Sequence, residues 1–148
     1  MRGAGAPVTI AATAFASGEA DAPAIVLSAP LSFWGGVEVA TGRIIDQSHP
    51  DLGTVITGRI LVMPGGRGSS SSSSVFAESI RRGTGPAGII LAVPDPILTV
   101  GALVAQSLYG ARCPVVVCAI EGIVTGERLR IRASDSGPAE VARLAGQI

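Results

Sequence analysis

An alternation of strand and helix patterns between residues 59 and 120 is the feature that most constrains the fold. Short apolar runs at 59–63, 88–93 and 114–120 are typical of strands covered on both faces. Apolar residues at helical spacing predict a helix at about 72–82, and a second helix is expected after Pro94-Asp95-Pro96, ending at Tyr109 before Gly110. This order predicts a parallel sheet with right-handed crossovers, and therefore an α/β fold.

Weaker patterns flank this unit. Short strand candidates precede it at 24–27, 37–40, 42–45 and 55–57, and a strictly alternating run follows at 128–132. These segments predict a second, more exposed sheet beside the parallel one.

The two ends of the chain show less regular patterns. We expect residues 1–22, which have no periodicity, to form a flexible or loosely docked arm. A chain of 148 residues fits one domain, which we place at 23–148, with a closing helix at 139–144.

The composition limits the classes of function that the chain can have. Eleven basic and eleven acidic residues cancel, so there is no electrostatic case for nucleic acid or an anionic membrane. No apolar run approaches the 18 residues that a membrane-spanning helix needs. Hydrophobic residues make up 47% and charged residues 15%, which indicates surface that another chain covers. Two cysteines fit a reducing cytoplasm.

A glycine- and serine-rich loop joins the first strand of the unit to its first helix. Pro64-Gly65-Gly66-Arg67-Gly68 is followed by six serines, 69–74. Unpaired N–H groups and the positive end of a helix dipole suit this junction to an anion, and Arg67 adds a guanidinium that fits a carboxylate or phosphate. The alternative is a linker with a serine helix cap. The loop matches neither the Walker nor the dinucleotide-binding pattern.

This loop and several other segments carry a family resemblance. Gly66-Arg67-Gly68-Ser69-Ser70 resembles the Gly-x-Gly-Ser-Ser loop of the aconitase swivelling domain. Over roughly residues 25–132 the chain resembles the small subunit of aconitase X enzymes. The matching segments are Ser32-Phe33-Trp34-Gly35-Gly36, Gly42-Arg43-Ile44-Ile45, His49-Pro50, Gly58-Arg59-Ile60-Leu61-Val62, Pro64 with the Arg67-Gly68-Ser69-Ser70 loop, and Asp95-Pro96-Ile97.

The resemblance implies a three-layer β/β/α swivelling domain paired with a large subunit, as a heterodimer or higher assembly. It implies that the large subunit holds iron or an iron–sulfur cluster and that this chain alone holds no metal. Ser69 is the implied catalytic base, with Arg67, Gly68, Ser70 and Ser71 around the substrate. The aconitase loop has an arginine where Ser71 stands, so a carboxylate clamp falls to Arg67 or the partner. The serine run leaves Ser70 and Ser71 as alternative bases.

The implied reaction is dehydration of a small hydroxy acid. The unbroken serine run and Asp95-Pro96-Ile97-Leu98 resemble the bacterial enzymes of the family, which act on cis-3-hydroxy-L-proline, more than the archaeal ones, which act on mevalonate 5-phosphate, and this resemblance favours the first substrate. The alternative to an enzymatic function is a non-catalytic binding or regulatory module whose Gly/Ser loop holds a phosphorylated ligand.

Other residues have simpler interpretations. Cys113 and Cys118 are five apart in an apolar strand, which places them on opposite faces as core thiols. His49, before Pro50, is expected to be a turn residue, with a protonic role as the alternative. Asp95 is a candidate helix cap.

Trp34 is predicted either to line an interface or pocket or to anchor the segment on the core. Arg128, Arg130 and Arg132 are predicted to form a solvated strand face, with contact to a partner as the alternative.

Overall fold

A computed structural model describes residues 8–144 of the chain. Within that range the chain forms strands and two helices in a mixed order. They are β1 (Val8–Ala16), β2 (Gly18–Val26), β3 (Val37–Glu38), β4 (Arg43–Ile44), β5 (Ile60–Met63), α1 (Ser71–Arg82), β6 (Gly88–Leu91), α2 (Pro96–Tyr109), β7 (Val115–Val117), β8 (Arg128–Ala133) and β9 (Pro138–Arg143).

The main sheet closes on itself. Its strand order is β1-β7-β6-β5-β2-β8-β9, and β1 pairs with β9 to complete the barrel. Strands β2, β5, β6 and β7 are parallel, which confirms the parallel unit, with α1 and α2 as its crossovers. Strands β1, β8 and β9 run antiparallel and form the other side of the barrel. Strands β3 and β4 form a separate small hairpin.

Alternation along the parallel strands separates two cores. Leu61 and Met63 of β5 face the helices, whereas Ile60 and Val62 face the barrel interior. Phe76 of α1 closes the first core. The result is a helix layer, a parallel layer and an antiparallel layer, and this confirms the β/β/α arrangement.

The structure corrects three expectations. Residues 8–22 are not an arm but lie in β1 and β2, because β1 pairs with β9 from Val8 to Thr13. Residues 1–7 lie outside the described part. The closing helix at 139–144 is wrong, since β9 is held between β8 and β1. Residues 55–57 form only an isolated bridge, between Val55 and Arg43.

Among residues 8–144, no helix is both long enough and apolar enough to cross a membrane.

Candidate functional site: the serine loop

Three loops meet where the parallel strands end. They follow β2, β5 and β6, and their residues are 27–36, 64–70 and 92–95. The first two are joined by a bridge between Leu31 and Gly66. The second and third touch, since a Cβ added at Gly66 would lie only 1.9 Å from Oδ2 of Asp95. The carboxyl edge of a parallel sheet is where such folds place their ligand sites.

The loop after β6 ends in a complete helix cap. Asp95 has an extended backbone, and its Oδ1 accepts the N–H groups of Ile97 at 2.8 Å and Leu98 at 3.1 Å. Pro96 occupies the first helical position, where its missing N–H is harmless. The cap prediction for Asp95 is confirmed.

The loop after β5 leads into α1 without such a cap. We call this loop together with the first residue of α1 the serine loop (residues 64–71). The residue before α1 is Ser70, with φ −60° and ψ −19°, and its side chain makes no capping hydrogen bond. Oγ of Ser69 accepts the N–H of Ser71 at 3.3 Å. Within residues 8–144, the N–H groups of Gly68, Ser69 and Ser70 donate to no other residue. This helix start is therefore open to a ligand.

Gly68 is required by its surroundings. Its φ is +106°, a region that side chains rarely adopt, and an added Cβ would lie 2.2 Å from Oγ of Ser32. Ser32 thus fits into the notch that the glycine leaves, and the loop after β2 lies directly against the serine loop.

A buried hydroxyl strengthens this contact. Ser72, in the first turn of α1, is 1% exposed. Its Oγ accepts the N–H of Trp34 at 3.0 Å and lies 3.2 Å from Oγ of Ser32. Ser32 in turn donates to the carbonyl of Trp34 at 2.9 Å. The three residues hold the two loops in a fixed register.

The charge beside the serine loop comes from Arg67. Its side chain is exposed, and it lies near the loop that follows β4. Hydrogen bonds from Ser48 lower the pKa of Asp46 below its usual value, and the positive charge of Arg67 contributes to that shift. Arg67 therefore places a cation at the edge of the loop, partly balanced by a carboxylate.

The predicted site residues stand together in the structure. Arg67, Gly68, Ser69, Ser70 and Ser71 are consecutive and all exposed. Sequence reasoning missed the support that Ser32, Ser72 and Asp46 give to them. Helical spacing was the signal that could have separated Ser72 from its neighbours, because Ser72 lies one turn before Phe76 on the buried face of α1, but its hydrogen-bond partners come from a loop about 40 residues away.

Trp34 does not anchor the core. Its side chain is 61% exposed, so that alternative is wrong and a role at an interface or pocket stays a prediction.

His49 is buried, and both ring nitrogens are used within its own region. Nδ1 accepts the N–H of Asp51 at 3.0 Å, and Nε2 lies 3.2 Å from the carbonyl oxygen of Ala29. The turn-residue prediction is confirmed, and the ring braces the loop that follows β4.

The thiols do not fit an iron site. Cys113 belongs to the helix-side core and Cys118 to the barrel core, which confirms that they face opposite ways. Burial raises the pKa of Cys113 to about 12, and burial with the nearby Glu121 raises the pKa of Cys118. Within residues 8–144 no three Cys, His, Asp or Glu side chains are grouped as metal ligands. The iron that the resemblance implies has no matching donor set here.

The arginine side chains of β8 are exposed or half-buried, and two of them form ion pairs. Arg128 and Arg130 each bind Asp21, at 2.9 and 3.3 Å, and Arg132 is exposed. A shallow groove of about 340 Å³ beside Arg132 lies on this face and not at the serine loop.

Comparison with known proteins agrees with this architecture. The model of the aconitase X swivel domain family matches residues 9–140. A cis-3-hydroxy-L-proline dehydratase of Hypocrea jecorina is 43% identical over 73% of this chain and 18% of its own length. The phosphomevalonate dehydratase small subunit of Methanopyrus kandleri is 51% identical over 55% of this chain and 60% of its own length. The crystal structure of Thermococcus kodakaraensis aconitase X, holo form, has a TM-score of 0.80 and 31% identity, covering 90% of this chain and 98% of that one.

The chain belongs to the aconitase X swivel domain family, which confirms the resemblance and the fold class. It spans less than a fifth of the Hypocrea jecorina protein and three fifths of the Methanopyrus kandleri subunit.

Proposed function

We infer that this chain is the small subunit of an aconitase X-type hydro-lyase and that Ser69 takes a proton from carbon in a small hydroxy acid. The observation that carries this proposal is the position of the Ser69 hydroxyl. It is exposed at a helix start that Ser70 does not cap, where the Ser69 oxygen accepts the N–H of Ser71. A base needs both an approach path and a stabilised anion, and this position offers both.

The local charges explain how a hydroxyl could act as a base. A free serine hydroxyl is a poor base near neutral pH. The N–H of Ser71, the helix dipole and the guanidinium of Arg67 all favour the ionised oxygen. The ionised Ser69 oxygen would take the proton, the C–H electron pair would form the new double bond, and hydroxide would leave the neighbouring carbon with the C–O electron pair. Release of the proton held by Ser69 would restore the ionised oxygen and balance the conversion of hydroxide to water.

The structure supports Ser69 over its two neighbours. Ser70 occupies the cap position without a capping bond, and Ser71 is the first residue of α1. A backbone N–H is directed at the side-chain oxygen of Ser69. Ser70 and Ser71 remain the alternatives that mutation must separate.

A partner would supply the rest of the site. The serine loop lies at an open edge, and the iron that the resemblance implies has no ligand set in the described part of this chain. The Methanopyrus kandleri relative is named a small subunit, and in the Hypocrea jecorina protein the matched region is a minor part of a longer chain. We propose an iron-bearing large subunit as the partner.

We favour cis-3-hydroxy-L-proline as the substrate. The serine run, the segment at 95–98 and the Hypocrea jecorina relative support this choice. Mevalonate 5-phosphate is the second candidate, because the 51% identical relative is named for that reaction. Both molecules carry a carboxylate that suits Arg67.

Copurification with the large subunit tests the proposal. The complex should release water from one of the two substrates, while the isolated chain should turn over neither and bind no stoichiometric iron. Turnover by the isolated chain would refute the split site. Anion binding by the complex without turnover of either substrate would favour the non-catalytic module.

A further inference from the structure

Trp34 combines an exposed side chain with a fixed backbone. It is the only tryptophan of the sequence, and its side chain is 61% exposed. Its N–H and its carbonyl are both bonded to serine hydroxyls, of Ser72 and Ser32. The residue before it, Phe33, is fully buried against Phe76 of α1, with ring centroids 4.8 Å apart. The indole is therefore displayed to solvent on a segment that is held in place.

The hydroxyl of Ser72 serves this segment and not its own helix. Ser72 is buried, although the three serines before it are exposed. Its oxygen accepts the Trp34 N–H, and the N-terminus of α1 receives no capping bond from Ser70. A buried hydroxyl that bonds to a distant backbone N–H fixes the relative position of two loops.

Exposed apolar side chains stand at two ends of the serine loop. Trp34 lies near Gly68 through Ser32 and Ser72, whereas Val93, 54% exposed, has its Cγ2 3.1 Å from the position of a Cβ at Gly65. Between them lie the exposed polar residues of the loop. A protein that covers the polar loop would therefore also bury Trp34 and Val93.

We propose that Ser72 holds Trp34 in place as the anchor on which the large subunit docks when it closes over the serine loop. This inference rests on the proposed function, since that function requires a large subunit at this edge. Tryptophan is enriched among the residues that dominate protein interfaces, and a fixed backbone reduces the entropy lost on docking.

A second copy of this chain fits the same surface less well. Symmetric self-association through the serine loop would bring Arg67 of one copy towards Arg67 of the other and bury two like charges. A large subunit that delivers an anionic substrate would complement Arg67 instead. The relative in which the matched region is 18% of the chain shows how much further protein can accompany this fold.

A fluorine label on the only tryptophan tests the contact. The full chain is labelled with 5-fluorotryptophan and titrated with unlabelled large subunit, and the single ¹⁹F resonance is recorded in H₂O and in D₂O. We expect the resonance to shift and to lose its solvent isotope dependence in the complex. Trp34→Ala should weaken binding about thirtyfold, the range of an interface hot spot.

Matched variants isolate Ser72. Ser72→Ala should broaden or shift the ¹⁹F resonance of the free chain and weaken binding about tenfold, in line with a lost buried hydrogen bond. Ser79→Ala removes an equally buried hydroxyl of α1, which donates only to the carbonyl of Phe76 in the same helix. This substitution should leave both readouts unchanged. Equal effects of the two substitutions would overturn the role of Ser72.

The outcomes separate the two proposals. A complex that forms while the ¹⁹F resonance keeps its position and isotope dependence overturns the docking proposal and leaves the proposed function intact. Leu108 is 66% exposed near the far end of α2, and if Leu108→Ala weakens binding as much as Trp34→Ala, docking lies elsewhere. Failure of any large subunit to bind would refute the proposed function and this inference with it.

Discussion

Helices α1 and α2 start at the same edge of the parallel sheet, one after β5 and the other after β6. The start of α2 is closed, because the Asp95 carboxylate accepts two N–H groups and Pro96 removes the need for a third. The start of α1 has no side-chain cap from Ser70 and only the 3.3 Å contact from Ser71 N–H to Ser69 Oγ, and within residues 8–144 the N–H groups of 68–70 donate to no other residue. The comparison shows that an Asp-Pro start is closed by its own side chain, whereas in residues 8–144 the serine-rich start at the same edge leaves backbone N–H groups without a protein acceptor.

The solvent faces of the two helices also differ. In α1, Glu78 and Arg81 form an exposed ion pair, and Arg82 is charged too. In α2, no residue from Pro96 to Tyr109 is charged. Helix α1 thus has an open start and a charged outer face, whereas α2 has a closed start and an apolar outer face.

Ser69→Ala should have the largest effect on the open start. With no oxygen to take the proton, turnover of the assembled complex should fall by about 10²–10⁴-fold, or about 3–5 kcal/mol. Thermal stability and binding to the large subunit should barely change. Steady-state kinetics beside a melting curve checks this. Loss of activity in Ser70→Ala or Ser71→Ala with normal Ser69→Ala would move the base along the loop, and three normal variants would exclude a serine base.

Arg67→Ala should raise KM more than it lowers kcat. A charge-assisted bond to the substrate anion contributes about 1.5–3 kcal/mol, which corresponds to a KM about 10–100-fold higher. Arg67→Lys is the matched control, since it keeps the charge and loses the planar fork. A loss confined to kcat would place the guanidinium beside the developing charge of the transition state.

Asp95→Ala should affect stability and not chemistry. Leaving the N–H groups of Ile97 and Leu98 without an acceptor should lower the free energy of unfolding by about 0.5–2 kcal/mol. Turnover per folded complex should stay within about twofold of wild type, and Asp95→Asn should restore most of the stability. Thermal unfolding and kinetics on the same samples provide the test. A large loss of turnover at unchanged stability would mean that the closed start also takes part in the site.

The smallest effects should come one turn into α1. Ser74 is exposed and its hydroxyl makes no hydrogen bond to another residue in the range 8–144, so Ser74→Ala should change neither stability nor turnover measurably. Ser73 donates to the carbonyl of Ile97 at 2.7 Å, and Ser73→Ala should lower stability by about 0.5–1.5 kcal/mol with turnover within a few-fold of wild type. Strong inactivation by either substitution would show that the site extends beyond the serine loop.

The same comparison shows how far the sequence predicts the structure. The cap of α2 depends on adjacent residues, and the sequence pattern predicts Asp95 as the capping residue. The position of the serine loop was also predictable, because a covered strand, glycines and a helical pattern are consecutive there. The hydrogen-bond partners of Ser72 were not predictable, since they come from the loop after β2.

Long-range pairing explains the remaining errors. The small residues of β1 carry little pattern of their own, and their ladder is formed with β9, at the opposite end of the chain. The segment of β9 has residues that favour helix, such as Ala139, Glu140 and Ala142, yet it is fixed between two strands. Tertiary pairing overrides local propensity at both ends.

The rate of proton removal tests the central claim most directly. With the complex in excess over a substrate deuterated at the carbon that loses its proton, the appearance of deuterium in water during one turnover reports that step alone. The account predicts that Ser69→Ala slows this release by at least about 100-fold, the lower range for a lost general base, while Asp95→Ala releases at the wild-type rate. Equal release rates for Ser69→Ala and wild type would contradict the assignment of Ser69 as the base.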